Sequence, residues 1–589
     1  MPGRSLAFVT TLVIALALAA PVSAHAAAWT WFAGDSLLNQ HGVYGSRGAF
    51  APGNAPGARM SSPGAVWQSG DWLFGGTGYG ASGASGQLND LWQYSSPLQQ
   101  WRYVSGGTTP NALGVYGTPG VAAPTNVPGS RSNHMACCTG VDPLLPPSQS
   151  DRLFVFGGTG YGVGGPPGLL NDLWMFDGTN WAWVAGAPAV NQPGVYGTLG
   201  LPAPGNHPGA RRDAALWFDP GTHALWLFGG YGYAQDPATS GYLNDMWRWD
   251  GTMWTWTGGS SVVNDPGLPL GSMATRAVVA NRAEGAVFWP GGWAEAKWVF
   301  DSVVRVLFGI GGHSHSGGSG PPRPPREVHG FADLWTFNMT SELWDYGYGI
   351  AAGDSCPSHG APGVPDSTNG PGWGSAGAAW RASDGTLWLY GGVGYDGTCT
   401  VPGPLAALWQ LNGTDWAFIS GLDAGLQGSD HGTLGQMASA VTPGSRYGAT
   451  AWTDPVDGHM RLFGGQGYDF GLAPGLCSDL WRLDDHATLD VPRPEAASAL
   501  ALGPATPNPA GERAAWVLTL PRPARVTAEV FDAAGRRVAR LLDARHEAGR
   551  VALGWDLRDC AGRRVKSGAY FLRVRAGGGI LRASLAVVR

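Results

Sequence analysis

The strongest constraint on the fold is a sequence pattern that returns along the chain. Residues 72–94, WLFGGTGYGASGASGQLNDLWQY, combine an apolar run, a double glycine, a Gly/Ser-rich stretch and a Leu-Asn-Asp-Leu-Trp segment. The same order returns in residues 153–176 and 225–249. A fixed period, here about 75 residues, indicates a repeat architecture in which every unit is one structural module. Six units are marked by the double glycines Gly75-Gly76, Gly157-Gly158, Gly229-Gly230, Gly311-Gly312, Gly391-Gly392 and Gly464-Gly465.

Each unit is predicted to form four short β-strands. Runs rich in Leu, Trp, Phe and Val are bounded by Gly, Pro, Asn and Asp, and none sustains the 3.6-residue period of a helix. In the third unit the predicted strands are 214–218, 225–228, 243–249 and 254–256. One such sheet cannot bury both of its faces alone, whereas six sheets arranged radially bury them against each other. The 29 Trp residues are suited to filling the space between the sheets.

These units resemble the repeats of kelch β-propellers. The apolar-Gly-Gly end of the second strand and the spaced aromatic pair, such as Tyr94 and Trp101, carry the resemblance over residues 29–485. It implies an all-β fold in which a six-bladed propeller occupies most of the chain. The units are longer than the usual ~50 residues of a kelch repeat. Seven blades are the alternative, because residues 260–330 contain two double glycines, Gly291-Gly292 and Gly311-Gly312.

The additional residues of each unit fall into two connections. Because neighbouring antiparallel strands alternate in direction, the connection after the double glycine and the connection between units lie on the same side. We call this side the long-loop face; the short turns lie on the opposite side. Insertions gathered on one face of a repeat protein often form its binding surface. The alternative, to which we give equal weight, is that the insertions only cover the rim of the hydrophobic core.

The N-terminal end of the chain is predicted to be an export signal. Residues 6–20 form an apolar run behind Arg4 and precede small-residue cleavage patterns at Ala24 and Ala26, which assigns residues 1–26 to a signal peptide. The mature protein is therefore expected to be secreted and located outside the cell or on its surface. No apolar run reaches the roughly 18 residues of a membrane span, so none is expected.

The C-terminal part is predicted to be a separate module. Residues 486–504 are rich in Ala and Pro and are predicted to form a linker, and residues 505–589 show the short alternating strands of a small Ig-like β-sandwich. VFDAAGRRVARL and WDLRDCAGRRVKSGAYFLRV resemble the Ig-like domain of flagellar hook-capping proteins and the sorting tails of bacterial type IX secretion substrates. The second resemblance implies an outer-membrane secretion machinery as partner.

This module is also the basic part of the chain. Residues 501–589 contain 16 Arg and Lys against 7 Asp and Glu, although the whole chain has a net charge of −6. A basic segment can bind nucleic acid or another anionic surface. Because the protein is expected to be exported, a solvated Arg-rich face is favoured and no nucleic acid partner is expected.

No catalytic motif is recognisable. There is no G-x-S-x-G segment, no C-x-x-C pair and no glycine-rich loop between a strand and a helix. Kelch propellers include copper-dependent galactose oxidases, and under that resemblance His313 and His315 are weak metal-ligand candidates in a flexible Gly/Ser/Pro segment. A non-catalytic binding or adhesion protein without a cofactor is favoured. The alternatives are a propeller enzyme, of the copper-containing galactose-oxidase kind or the sialic-acid-processing kind, and a purely structural surface protein.

Two sets of tyrosines are candidates for ligand binding. Few charges surround them, so their rings suit the apolar faces of sugars, and polysaccharide or a surface protein is the expected partner. Packing of the rings against their own loops is the alternative. In the sixth unit Asp430-His431-Gly432 replaces the loop sequence and is interpreted as drift. The candidates are Tyr79, Tyr161, Tyr233, Tyr395 and Tyr468 after the double glycines, and Tyr44, Tyr116 and Tyr196 in the loops between units.

Two contacts between residues far apart in the chain are predicted. Trp29-Thr30-Trp31 matches the outermost strands of the other units, and the sixth unit lacks such a strand. This segment should therefore pair with residues 480–483, which leaves no unpaired edge at the junction. Cys356 and Cys399 both lie in long connections, and we expect a disulfide between them.

A set of buried ion pairs is also predicted. An Arg precedes the first strand of four units, and an Asp begins the third strand of the same units. The fifth unit has lost both residues together, with Gly374 and Ala407 in their places, which indicates that the two side chains meet. A structural role is expected for the pairs Arg59–Asp90, Arg131–Asp172, Arg211–Asp245 and Arg446–Asp479.

Overall fold

The computed structural model describes most of the chain, and the predicted all-β class is confirmed in that part. Every helix or strand assigned in the described residues is a β-strand. The described residues are 27–264, 296–300, 304–310, 332–338, 343–348, 356–484 and 501–588, without 68–69, 140–151, 220, 373, 383–385, 422–424, 439–440, 455–456, 504, 506–507, 512, 521–523, 547–548 and 578. The predicted signal peptide lies outside them.

Three sheets of the same construction follow one another in the first half of the chain. In each, a two-residue strand and the first strand both pair with the second strand, and the third and fourth strands follow in antiparallel order. Sheet 1 contains β2 (Arg59–Met60), β3 (Gly64–Trp67), β4 (Gly70–Tyr79), β5 (Ser85–Ser95) and β6 (Gln100–Ser105). Sheet 2 contains β7 (Arg131–Ser132), β8 (Met135–Cys138), β9 (Leu153–Gly160), β10 (Gly168–Phe176) and β11 (Trp181–Ala185). Sheet 3 contains β12 (Arg211–Arg212), β13 (Ala215–Asp219), β14 (Ala224–Tyr233), β15 (Ser240–Trp249) and β16 (Trp254–Gly258).

Three further four-stranded sheets are described up to residue 484, and two of them have short strands beside them. Sheet 4 contains β17 (Ala296–Phe300), β18 (Val304–Ile310), β19 (Ala332–Asn338) and β20 (Leu343–Tyr348). Sheet 5 contains β22 (Ala378–Arg381), β23 (Leu387–Tyr390), β26 (Leu408–Asn412) and β27 (Asp415–Ser420), with β21 (Gly374–Ser375), β24 (Val393–Gly394) and β25 (Gly403–Pro404) beside it. Sheet 6 contains β28 (Thr450–Thr453), β29 (Met460–Phe463), β32 (Leu480–Asp484) and the N-terminal β1 (Ala28–Ala33), with β30 (Gln466–Tyr468) and β31 (Pro474–Leu476) beside it.

The second and third strands are longer than predicted. In sheet 3, β14 continues through the double glycine to Tyr233, which pairs with Ser240 on β15. The register shifts between Phe228 and Gly230, so the glycines form a bulge inside the ladder. The Gly-rich connection is therefore shorter than the sequence indicated, because its first residues belong to the strand.

The N-terminal strand pairs with the last strand of the repeats, as predicted. Trp29 lies opposite Leu483 and Trp31 lies opposite Trp481 in the antiparallel pair of β1 and β32. Trp29 is buried and packs against Trp481 and against Trp380 of sheet 5. Residues from the two ends of the repeat region therefore share one sheet.

Contacts connect consecutive sheets through their first strands. β3 contacts β8, β8 contacts β13, β13 contacts β17, β17 contacts β22, β22 contacts β28, and β28 contacts β3. Residues just before these strands are joined by backbone hydrogen bonds: Gly448 donates to Ala376, Ser61 to Gly448, Asn133 to Ser61 and Asp213 to Asn133, at 2.8 to 3.1 Å. Sheet 6 thus meets sheet 1 in the way that sheet 1 meets sheet 2.

The connection between units runs along the outer edge of the sheet that follows it. In sheet 1 the N–H of Gly48 donates to the carbonyl of Tyr103 at 2.7 Å, and the Asn54 amide donates to the carbonyl of Trp101 at 3.1 Å. In sheet 6 the loop meets the N-terminal strand, where the N–H of Gly435 donates to Trp31. We call these segments edge arms; their described residues are 46–55, 118–127, 198–207, 361–370, 433–438 and 441–442. They cover the outer strands, because their backbone groups pair with them.

The C-terminal module consists of two sheets around their own core. One contains β33 (Ala501–Leu502), β34 (Ala514–Leu520) and β37 (Gly549–Trp555). The other has the order β36 (Arg537–His546), β35 (Ala524–Asp532), β38 (Gly568–Ala576) and β39 (Gly579–Val587). Trp516, Val530, Leu553 and Leu572 are among the buried residues between them. The first strand begins within the segment predicted as linker, because Ala501 and Leu502 pair with β34.

Candidate functional site

The four predicted Arg–Asp pairs are present and lie at the end of each sheet from which the long connections leave. In sheet 2, Nη1 and Nη2 of Arg131 donate to Oδ1 and Oδ2 of Asp172, each at 2.8 Å. Neither side chain is exposed. Two parallel charge-assisted bonds of this kind fix the guanidinium in direction as well as in place. The other pairs have closest distances of 2.7 Å for Arg59–Asp90, 2.6 Å for Arg211–Asp245 and 2.8 Å for Arg446–Asp479.

The double glycine supplies a further acceptor for each arginine. Gly157 and Gly158 have φ values of 60° and 97°, which favour glycine, and the carbonyl of Gly157 accepts a bond of 3.0 Å from Nη1 of Arg131. A Cβ on Gly157 would lie 2.7 Å from the carbonyl oxygen of Arg211 in the next sheet. The pair of glycines is therefore required both by the bulge and by the close approach of neighbouring sheets.

Three candidate tyrosines bond to the aspartates of these ion pairs and are buried. The prediction that they are ligand platforms is therefore wrong. The hydroxyls of Tyr44, Tyr116 and Tyr196 donate to Asp90, Asp172 and Asp245, each at 2.7 Å. Their exposed fractions are 7%, 6% and 3%. Burial, followed by the neighbouring carboxylate, raises the pKa of each hydroxyl, which keeps it protonated as a donor. Their rings pack against aromatic rings of the third and fourth strands of the sheet, as Tyr116 packs against Trp174 and Trp183, so the sheet as well as the loop holds them.

A tryptophan completes each of these clusters and was not identified from the sequence. The indole N–H of Trp174 donates to Oδ2 of Asp172 at 2.6 Å, and Trp92 and Trp247 make the same bond. The available signal was the constant Asp-x-Trp spacing. We call the four residues together an anchor cluster. The anchor clusters are Arg59, Asp90, Tyr44 and Trp92; Arg131, Asp172, Tyr116 and Trp174; and Arg211, Asp245, Tyr196 and Trp247.

Sheet 6 has a variant of the cluster, so the interpretation of His431 as drift is wrong. Nε2 of His431 lies 3.1 Å from Oδ2 of Asp479, in the place that tyrosine occupies elsewhere. Its ring packs against Trp31 and Trp481. Histidine thus replaces both the aromatic ring and the hydrogen-bonding group of the tyrosine.

The remaining five tyrosine candidates are neither buried nor fully exposed. Each directly follows a glycine. In sheets 1, 2 and 3 the tyrosine ends or directly follows the second strand, and in sheets 5 and 6 it lies at or next to the short strands β24 and β30. In sheet 1, Tyr79 ends β4 between Gly78 and Gly80, and its backbone N–H donates to Ala58 at 3.0 Å. The backbone is thus fixed while part of the ring faces solvent. This half-buried set consists of Tyr79, Tyr161, Tyr233, Tyr395 and Tyr468.

The predicted disulfide is present on the long-loop side of sheet 5. Cys356 and Cys399 are bonded, with 5.6 Å between their Cα atoms and a sequence separation of 43 residues. It joins the connection that precedes sheet 5 to the connection after Gly391-Gly392. The bond therefore restrains the two long connections of one unit.

Removing this disulfide should lower the free energy of unfolding by about 2–4 kcal/mol, because the unfolded chain gains the freedom of the closed loop. The double variant Cys356→Ser/Cys399→Ser should melt at a lower temperature than the oxidised protein. Reductant should lower the melting temperature of the native protein and leave the variant unchanged. Equal melting temperatures for the oxidised, reduced and variant proteins would contradict the prediction.

No donor set for a metal is found in the part of the chain that the structure describes. No group of three or more His, Cys, Asp or Glu side chains is arranged there to hold an ion. The weak candidates His313 and His315 lie outside the described residues.

One comparison with known proteins finds a similarity within the C-terminal module. Residues 506–579 match the family described as the FlgD Ig-like domain, in agreement with the resemblance of this segment. No curated protein matches the chain in sequence. None of the described segments forms an apolar helix of the length that crossing a bilayer requires.

Several solved structures are distantly similar to this chain. One, titled "Structure of YjhT", is 12% identical, covers 72% of this chain and 95% of its own, and has a TM-score of 0.38. A fungal alcohol oxidase of the AA5 family, in complex with copper, is 10% identical, with coverages of 92% and 100% and a TM-score of 0.34. PorZ, a surface component of the type IX secretion system of Porphyromonas gingivalis, is 12% identical, with coverages of 89% and 59% and a TM-score of 0.27. No residue role transfers from likenesses this distant.

Proposed function

We propose that the protein is an exported, non-catalytic binding protein with a closed ring of six kelch-type blades. Ring closure is supported by the pairing of β1 with β32 and by the contacts that lead through the first strands from sheet 1 to sheet 6 and back. The match of residues 506–579 supports a module used at the cell surface or in secretion. The predicted signal peptide and sorting tail are consistent with this location.

The anchor clusters have a structural role in this proposal. Each aspartate is fully occupied by arginine, tyrosine and tryptophan donors and is shielded from solvent, so it is unavailable to act on a ligand. General acid–base catalysis requires a group within reach of a bound substrate. The clusters instead fix the strand ends that carry the half-buried tyrosines.

The half-buried tyrosines are the observation that carries the binding function. They are placed at the same position in five units, so a large ligand can contact several of them. Flanking glycines such as Gly78 and Gly80 let a ligand approach the backbone closely. Aromatic rings pack on the apolar faces of sugars, and exposed backbone groups can bond to hydroxyls. We infer weak, multivalent binding of neutral polysaccharide on the long-loop face.

Replacing Tyr79, Tyr161 and Tyr233 by alanine should abolish measurable glycan binding while the melting temperature stays close to that of the native protein. The matched control is the triple Tyr→Phe variant, which retains the stacking surface and should keep most of the affinity. Binding is measured on a glycan array and then by titration with the strongest oligosaccharide. A native protein that binds no glycan, or an alanine variant that binds as well as the native protein, would remove the proposal.

A further inference from the structure

One face of the C-terminal sandwich is an array of arginines. In antiparallel strands, directly paired residues project from the same face of the sheet. Arg540 pairs with Glu529, Glu529 with Arg573, and Arg573 with Arg582, which places one row across β36, β35, β38 and β39. The row thus contains three arginines and one glutamate.

The neighbouring rows extend this basic face. Thr527 lies between Asp543 and Arg575, and Arg525 lies opposite Arg545. Phe531 and Phe571 pair in the row on the other side, with Arg537 beside them, and Ile580 pairs with Arg575. We call this surface the arginine face; its charged residues are Arg525, Arg537, Arg540, Arg545, Arg573, Arg575 and Arg582 against Glu529 and Asp543.

The arginine face is open to solvent, since the opposite face of the same sheet forms the core. Val526, Ala528, Val530, Leu572 and Val574 alternate with the arginine-face residues and are buried. The side chain of Arg525 is 73% exposed and that of Arg540 is 49% exposed. Among the described residues, contacts of the module with the repeats include the ion pair of Arg513 and Asp469, next to β34 in the other sheet.

A central carboxylate holds three of the guanidinium groups in position. Glu529 accepts bonds of 2.8 Å from both Arg573 and Arg537 and lies 3.5 Å from Arg540. The guanidinium of Arg573 also lies over the ring of Phe531, 4.2 Å from its centre. These contacts restrain the positions of the three guanidinium groups. Preorganisation of this kind lowers the entropy cost of binding an anion.

We propose that the arginine face docks the protein on a membrane surface rich in phosphate-bearing anionic lipids. The charges are arginines, whose planar forks bind phosphate in two bonds. They are spread over four strands, roughly 15 Å at the usual strand spacing, which matches a planar partner better than a single extended peptide. Phe571 and Ile580, 43% and 55% exposed, lie among them and can enter the headgroup layer.

Sedimentation of the full-length mature protein with vesicles tests this proposal. The protein should bind vesicles containing one part phosphatidylglycerol to two parts phosphatidylcholine and should not bind phosphatidylcholine alone. Binding should weaken as salt is raised, because the attraction between exposed charges is screened. The variant Arg540→Gln/Arg573→Gln/Arg582→Gln should bind the vesicles about a hundredfold more weakly. Each arginine close to an anionic membrane surface raises the affinity about fivefold.

A matched control separates this face from net charge alone. Arg558→Gln/Arg563→Gln/Arg564→Gln removes the same charge from the turn between β37 and β38 and should bind much as the native protein does. Retained thermal stability shows that a variant is folded, and the single variant Phe571→Ser offers a milder test with an expected severalfold loss. Equal losses in both triple variants, or binding of polyglutamate without binding of vesicles, would overturn the proposal; the second result would assign the face to an acidic protein.

Discussion

Replacement of Asp172 by alanine should lower the free energy of unfolding of the repeat region by about 3–5 kcal/mol, which is the usual effect of leaving one partner of a buried ion pair alone. Arg131 has no solvent exposure and would keep its charge without a counterion. Tyr116 and Trp174 would lose their common acceptor in the same step. Urea denaturation followed by tryptophan fluorescence measures the change.

A combined variant distinguishes the loss of a charge partner from the loss of the pair itself. Arg131→Met/Asp172→Leu/Tyr116→Phe replaces the cluster by apolar groups and should recover a large part of the stability, because apolar replacement of a buried pair is often close to neutral. Sheet 5 already lacks both charges, with Gly374 and Ala407 in their places. A single variant within 1 kcal/mol of the native protein, or a combined variant no better than the single one, would contradict the structural role.

A chain that begins at Gly34, and therefore lacks β1, should lose the native form of sheet 6. The deletion removes Trp29 from its site against Trp380 and Trp481, and truncation of one buried tryptophan alone costs about 3–5 kcal/mol. It also leaves β32 with an unpaired edge, which favours association with other chains. Size-exclusion chromatography and hydrogen exchange of the β32 amides measure both effects.

Two controls accompany this deletion. A peptide of residues 27–36 added to the truncated chain should restore protection of the β32 amides. Trp31→Ala should cost less than Trp29→Ala, because Trp31 is only half-buried. Unchanged protection of β32 in the truncated chain would show that β1 is not needed to hold the last sheet.

The sequence predicted those parts of the fold for which a residue pattern recurs in every unit, or for which one unit lacks residues that the other units have. The period indicated sheets, the missing tryptophan strand of the sixth unit indicated the pairing of β1 with β32, and the joint loss at Gly374 and Ala407 indicated the Arg–Asp pairs. In the second and third cases a difference between one unit and the others indicated which residues are in contact. This holds even though the partners are far apart in the chain.

The role of the loop tyrosines could not be predicted in the same way. The sequence Gly-Val-Tyr-Gly is compatible with an exposed tyrosine ring that binds a ligand. It is equally compatible with a buried ring whose hydroxyl reaches an aspartate 46 residues away, as Tyr44 reaches Asp90. Neither case changes the local pattern. The substitution of His431 for tyrosine was informative only once both side chains were seen on the same carboxylate. The first strand of the sandwich was missed because Ala501 and Leu502 have the composition of the linker before them.

The edge arms have a consequence for the number of units that such a chain can contain. In sheets 1, 2, 3 and 5 an arm and the outer strand that it covers belong to the same segment of sequence, as do the members of each anchor cluster, whereas the outer strand of sheet 6 is the N-terminal β1. Duplication of one segment would therefore introduce a new sheet together with its own cover and its own buried charges. Loss of a segment would remove them together. Changes in the copy number of these segments leave no strand uncovered, whereas a change that divides a segment, or one that removes the unit paired with β1, would expose one.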